Sequence, residues 1–136
     1  MTIRARNRVF VAGIVMGVAA LLASLLPTLP MLASSDSGAA RDVDIVIRDM
    51  AFYLDGKGEP NPTLVFRSGE RVRVFVRSED AGMDHDFVVK TWKVQSNTLT
   101  GRGETSVTIK VPRAAGTESY FCTPHATRMR GTIRVE

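Results

Sequence analysis

The sequence predicts an all-β fold over residues 41–136, a Greek-key β-sandwich or small barrel, preceded by an N-terminal hydrophobic helix. Apolar and polar residues alternate in several short segments after residue 41, which is the pattern of half-buried strands. Glycine, proline and charged residues separate these segments at frequent intervals. No segment in this range shows sustained helical periodicity, so we expect helices to be absent or very short there.

Seven segments carry the strand pattern. In chain order they read DVDIVIR, TLVF, RVRVFVR, FVVK, SVTIKV, ESYFC and GTIRVE. Seven short strands in about 95 residues favour two sheets that cover one core. We expect long loops at 55–62 and 95–105, which lack alternation and are rich in Gly, Asn, Pro and Thr, and we expect Trp92 to pack against the core.

Composition and charge limit the possible functions. The chain has 136 residues, 44% of them hydrophobic and 24% charged, which suits one folded domain with a short extension. The formal net charge is +4, but residues 41–136 contain 15 basic and 13 acidic side chains, a net charge of only +2. No basic block or aromatic-interleaved basic stripe occurs, so we predict no nucleic-acid partner.

The N-terminal segment has the features of an export signal. Arg4, Arg6 and Arg8 precede an apolar run, Val9–Ala33. Positive charge before an apolar segment keeps the N-terminus cytoplasmic and directs the downstream chain across the membrane. We therefore predict a domain in the periplasm or at the extracellular face of the cytoplasmic membrane.

Residues 1–33 are predicted to be either a signal-anchor or a cleaved signal peptide. Val9–Leu26 gives 18 apolar or small residues, more than the roughly 7–15 of a signal-peptide core and close to the roughly 20 of a spanning helix. Length favours a membrane anchor, whereas small residues would permit cleavage after Ser35 or Ala39. Residues 34–40 are small and polar, which predicts a flexible linker.

The residues with metal-binding chemistry fall at strand ends. The chain contains one cysteine, Cys122, and two histidines, His85 and His125. The cysteine has no partner in the chain for a disulfide. Pro124 fixes φ in the short segment between Cys122 and His125, which helps the chain turn so that both side chains face one point. Met129 follows His125 by four positions, and the fold must bring in His85.

This donor set predicts one copper ion. Two imidazoles, a thiolate and a weak thioether are the ligands of blue-copper electron-transfer sites. A thioether is a poor ligand for zinc, and calcium and magnesium require oxygen ligands. The predicted ligands of an ion that cycles between Cu(I) and Cu(II) are His85, Cys122, His125 and Met129. Met83 is the alternative thioether.

The segment from about residue 42 to residue 136 resembles the cupredoxins, the family of plastocyanin, pseudoazurin and amicyanin. TLVFRSGERVRVFVRSED before His85 resembles the family's glycine-turn hairpin and first histidine. SVTIKVP before GTESYFCTPH resembles the penultimate strands, and Met129-Arg-Gly-Thr-Ile133 resembles the closing Met-x-Gly-x-aliphatic strand. The resemblance implies a cupredoxin-like fold and makes His125 the surface port for electrons.

Two features depart from the family pattern. The loop is Cys-x2-His-x3-Met, one residue shorter between His and Met than in plastocyanin and pseudoazurin, and one longer than in amicyanin. Asp86 follows His85 where plastocyanin-like members have Asn, whose amide helps to tie the two ligand loops together. An ionised carboxylate accepts hydrogen bonds but cannot donate them, so the connection between these loops is expected to differ. Taken alone, Asp84 and Asp86 fit a solvated face better than a catalytic role.

The function favoured by the sequence is that of a monomeric one-electron carrier between membrane-associated redox proteins, such as cytochromes or membrane oxidoreductases. The alternative is a module that binds and delivers copper without redox turnover. Enzymatic activity is not expected, because copper would use both histidines. A binuclear oxidase-type centre would also need a second cysteine.

Overall fold

The computed structural model describes residues 38–136, which form eleven strands and two one-turn 3₁₀ helices. The strands are β1 Arg41–Arg48, β2 Ala51–Leu54, β3 Thr63–Phe66, β4 Arg71–Ser78, β5 Asp84–His85, β6 Val88–Val89, β7 Val94–Gln95, β8 Leu99–Thr100, β9 Gly103–Lys110, β10 Gly116–Phe121 and β11 Arg130–Val135. The helices are Lys90–Trp92 and Thr123–His125. The predicted N-terminal helix, whether anchor or signal peptide, lies outside the described residues. Within them, no helix has the length and apolar character that crossing a membrane requires.

The strands form two main sheets and a small ribbon. The first sheet has the order β2-β1-β4-β9, the second β3-β11-β10-β6-β7, and β5 pairs with β8 alone. β1 and β4 are parallel, as are β3 and β11, while the other pairs are antiparallel. The chain passes repeatedly from one sheet to the other, so consecutive strands often lie in different sheets. The predicted all-β sandwich is confirmed.

The core lies between the two sheets and contains the apolar faces of the alternating strands. In β4, Val72, Val74 and Val76 are almost fully buried while the residues between them are exposed. Burial of each such side chain stabilises the fold by roughly 1.5–3 kcal/mol. Trp92 is partly buried and packs against this core, as predicted.

The structure differs from the strand prediction in several details. The short strands β2, β5, β7 and β8 were not predicted, and β2 follows β1 directly through a tight turn. The segment 95–105 is not a long loop, because it contains β8 and the start of β9, whereas 55–62 is free of regular strands as expected. Val46 lies on the polar face of β1 in the alternating pattern but is buried, because the turn at Gly56 folds over it.

The turn between β3 and β4 depends on one carboxylate. Glu70 accepts a hydrogen bond from the Arg67 N–H (2.7 Å) and two from the Arg41 guanidinium (2.8 and 3.1 Å). The hydrogen bonds from Arg41 are the largest cause of the lowered pKa of Glu70. A carboxylate with a lowered pKa stabilises the fold above its usual pKa, and this stabilisation is lost as the pH falls through the folded-state value.

We therefore expect Glu70→Gln to reduce the free energy of unfolding by about 1 kcal/mol at pH 7. Urea denaturation should show this difference from the parent shrinking as the pH falls below the usual glutamate range. Glu79→Gln is the matched control, because Glu79 forms a more exposed ion pair with Arg77 and should lose less than about 0.5 kcal/mol. Two results would contradict this prediction. One is an equal loss of unfolding free energy in Glu70→Gln and Glu79→Gln at pH 7. The other is a difference between Glu70→Gln and the parent that persists at low pH.

Candidate metal centre

His85 reaches the site from the small ribbon. It is the last residue of β5 and pairs with Leu99 of β8, so its backbone is fixed on a two-stranded element. Its side chain is fully buried. The ring therefore enters the end of the sandwich from inside rather than from the surface.

The other three predicted ligands lie on the connection between β10 and β11. Cys122 follows β10, His125 ends the 3₁₀ helix that contains Pro124, and Met129 precedes β11. The connection is closed by hydrogen bonds from the Cys122 N–H to the Met129 carbonyl (3.0 Å) and from the Met129 N–H to the His125 carbonyl (2.8 Å). Cys122 and Met129 are thus adjacent across the strand pair, and both side chains are fully buried.

The geometry brings His85, Cys122 and His125 together. The Cys122 Sγ lies 3.7 Å from Nδ1 of His85 and 3.6 Å from Nδ1 of His125. The ligand atoms of all three residues lie within 4.8 Å of one another. Met129 belongs to the same buried apolar cluster as Cys122, and its backbone is hydrogen-bonded to Cys122 and His125. Met83, the alternative thioether, is only half-buried.

These spacings fit a shared transition-metal ion. An imidazole nitrogen about 2.0–2.1 Å and a thiolate about 2.3 Å from one ion stand roughly 3.6–3.8 Å apart at angles between tetrahedral and trigonal. Both sulfur–nitrogen distances in the site have this value. The nitrogen that faces the sulfur is Nδ1 in both histidines, so the two rings present the same donor atom to one point.

Burial favours the uncharged forms of both His85 and Cys122. Burial lowers the pKa of His85, although the nearby Asp80 carboxylate acts in the opposite direction, so the ring favours the neutral form that coordinates metals. Burial raises the pKa of the Cys122 thiol, which a hydrogen bond from the Asp86 backbone partly offsets. A coordinating thiol is deprotonated by the metal, so binding at Cys122 releases a proton.

Asp86 ties the two ligand segments together. Its Oδ1 accepts the Thr123 N–H (2.6 Å), and its Oδ2 accepts the Thr123 hydroxyl (2.7 Å) and the Gln95 amide (3.1 Å). The side chain is almost fully buried, so the expectation of a solvated Asp86 was wrong, whereas Asp84 is exposed as expected. The carboxylate thus connects Asp86, which follows His85, to Thr123, which follows Cys122. It is the acceptor in all of these hydrogen bonds. The connection therefore differs in kind from one made by an amide that also donates.

Asp80 also belongs to the site, although no sequence pattern marked it. Its Oδ2 lies 3.2 Å from Nε2 of His85, on the side of the ring opposite Cys122. Asp80 lies just after β4, in the sequence Ser78-Glu79-Asp80, which is typical of a solvent-exposed polar turn. Only the fold brings this turn behind His85.

The fold and the donor set define a small β-sandwich protein with one soft-metal site at the end of its strands. A family model described as "copper binding proteins, plastocyanin/azurin family" matches residues 64–136, which are 73 of the 136 residues. The chain therefore belongs to this cupredoxin family, and its cofactor is a single copper ion. No curated protein matches the sequence.

Solved structures of other proteins share the fold. Auracyanin A, a "blue" copper protein from Chloroflexus aurantiacus, is 18% identical with a TM-score of 0.58, over 72% of this chain and all of that one. Auracyanin from Roseiflexus castenholzii is 19% identical with a TM-score of 0.57, over 73% and 99% of the two chains. Rusticyanin from Thiobacillus ferrooxidans is 27% identical with a TM-score of 0.52, over 74% and 79%.

Proposed function

We propose that this protein is an extracytoplasmic one-electron carrier with a type 1 copper site. The proposed ligands are His85, Cys122, His125 and Met129. The observation that carries the proposal is the convergence of two imidazole Nδ1 atoms on one buried thiol. When bound, copper supplies a one-electron couple between Cu(I) and Cu(II).

The protein contributes to electron transfer by keeping the ligand geometry rigid. Cys122 and Met129 are fixed across the β10-β11 pair, and His85 is fixed by β5 and by the hydrogen bonds of Asp86. Ligands that cannot move keep one arrangement in both oxidation states, which lowers the reorganisation that accompanies transfer. The apolar cluster that contains Cys122 and Met129 limits access of water to the thiolate.

His125 is proposed as the electron port. His85, Cys122 and Met129 are fully buried, whereas His125 is only half-buried. Its Nδ1 faces the sulfur, so the opposite edge of the ring is the part of the site that a partner can approach. We propose that partners are redox proteins such as cytochromes or membrane oxidoreductases, and that the carrier acts as a monomer outside the cytoplasmic membrane. The basic-then-apolar order of residues 1–33 supports that location.

Repeated redox cycling of the copper-loaded protein tests this function. We expect Cu(II) to produce an intense visible band that disappears on reduction with ascorbate and returns on reoxidation with ferricyanide. Copper should be retained after gel filtration in both oxidation states. A colourless protein, or one that takes zinc in preference to copper, would rule out the carrier. Loss of copper to a competing chelator on reduction would instead favour the delivery module.

A further inference from the structure

The Asp80 carboxylate contacts three groups while remaining almost buried, with 9% of its side chain exposed. Its Oδ1 accepts the Asp49 N–H (2.8 Å), and its Oδ2 accepts the Met50 N–H (3.1 Å). Oδ2 also lies 3.2 Å from Nε2 of His85. One side chain therefore links the β1-β2 turn to the buried histidine.

The turn between β1 and β2 has an unusual backbone that directs both N–H groups to this carboxylate. Asp49 and Met50 have φ values of 51° and 55°, a left-handed pair that suits a two-residue hairpin but is unfavourable for a residue such as methionine. Two successive N–H groups aimed at one anion offset part of that cost. The backbone of this turn thus holds the carboxylate in place behind His85.

Nε2 of His85 has no other partner among residues 38–136. The contact with Asp80 lies within ion-pair distance but does not have the geometry of a full hydrogen bond. A histidine that coordinates through Nδ1 carries its proton on Nε2. A carboxylate next to that N–H is the arrangement that orients metal-binding histidines and increases their basicity.

We propose that Asp80 is a positioning residue for the copper site, which holds the His85 ring with Nδ1 toward Cys122 and lowers the reduction potential of the bound copper. This rests on the proposed function. The buried negative charge acts on a ligand of the ion, and it favours Cu(II), which carries one more positive charge than Cu(I). The same contact makes His85 a stronger donor, which shifts the potential in the same direction.

The proposal is tested by comparing the variant Asp80→Asn with the control variant Asp84→Asn. Asparagine keeps an oxygen for one of the turn N–H groups but removes the charge beside Nε2. Asp84 is exposed and adjacent to His85 in sequence, so its amide variant removes an equal charge without touching the ring. We expect Asp80→Asn to raise the reduction potential, measured by redox titration, clearly more than Asp84→Asn. We also expect Asp80→Asn to weaken copper binding about 10–100-fold.

Equal potentials and equal copper affinities in the two variants would overturn the role of Asp80. If Asp80→Asn failed to fold, the comparison would be made in an Asp49→Gly background, because glycine adopts the positive φ of the exposed turn position without strain. If the parent bound copper without an intense visible band, the electron-carrier function would fail. The difference in copper affinity between Asp80→Asn and Asp84→Asn would still decide the role of Asp80.

Discussion

Replacing Cys122 by serine is expected to abolish the intense visible absorption of the copper-loaded protein. The band arises from charge transfer between the thiolate and Cu(II), and a serine hydroxyl is a hard, weakly acidic donor that cannot replace it. Copper(I) affinity should fall by more than about 100-fold, because loss of a direct ligand exceeds the roughly 10–100-fold effect of losing a neighbouring group. Optical spectra and competition with a Cu(I) chelator measure both quantities.

Met129→Leu is the matched control for this substitution. Leucine keeps the buried volume beside Cys122 but removes the thioether, so the intense band should persist with an altered position and a changed reduction potential. A Cys122→Ser protein that stayed blue would exclude Cys122 as the thiolate ligand. A spectrum and a potential unchanged in Met129→Leu would exclude Met129 as the axial ligand.

The sequence indicated the candidate ligands because residues with this chemistry are few in the chain. One cysteine and two histidines at strand ends left few ways to build a metal site, and the structure brings all three together. The alternation of β4 likewise required no tertiary information, because each buried valine alternates with an exposed residue. Signals of this kind are local and repeat along the chain.

The features that could not be predicted depend on contacts between distant segments. Val46 appears exposed in the alternation of β1, but the turn at Gly56 covers it. Asp80 and Asp86 resemble surface carboxylates in sequence, yet the fold places one behind His85 and the other between the two ligand segments. The role of each is set by partners in other elements of the fold, which a one-dimensional pattern does not contain.

Gly131→Ala is expected to cause the largest loss of stability. Gly131 of β11 pairs with Tyr120 of β10, and a Cβ at this position would overlap the ring carbons and hydroxyl of that tyrosine. The ring is fully buried, lies 5.3 Å from Phe52 and 5.2 Å from Phe87, and donates its hydroxyl to the Pro62 carbonyl (2.7 Å). It therefore has no space into which it can move.

Overpacking of this kind costs about 1–3 kcal/mol and occasionally more, and we expect a loss of at least about 3 kcal/mol here. Gly103→Ala is the control, since a Cβ on that strand glycine would meet only Leu99 at 3.5 Å, an ordinary contact, and should change stability by less than about 0.5 kcal/mol. Urea denaturation of both variants gives the comparison. In a Tyr120→Leu background the cost of Gly131→Ala should fall, because the colliding ring is gone.

The same substitution links the core to the copper site. Tyr120 and Gly131 each lie two residues from a proposed ligand, Cys122 after β10 and Met129 before β11. Separation of these strands would stretch the hydrogen bond from the Cys122 N–H to the Met129 carbonyl that closes the ligand loop. We therefore expect folded Gly131→Ala protein to bind copper more weakly and with an altered visible band, whereas Gly103→Ala should match the parent. Parent-like stability of Gly131→Ala would show that the Tyr120 ring can move aside. A parent-like spectrum would show that the close packing of β10 against β11 does not set the ligand geometry.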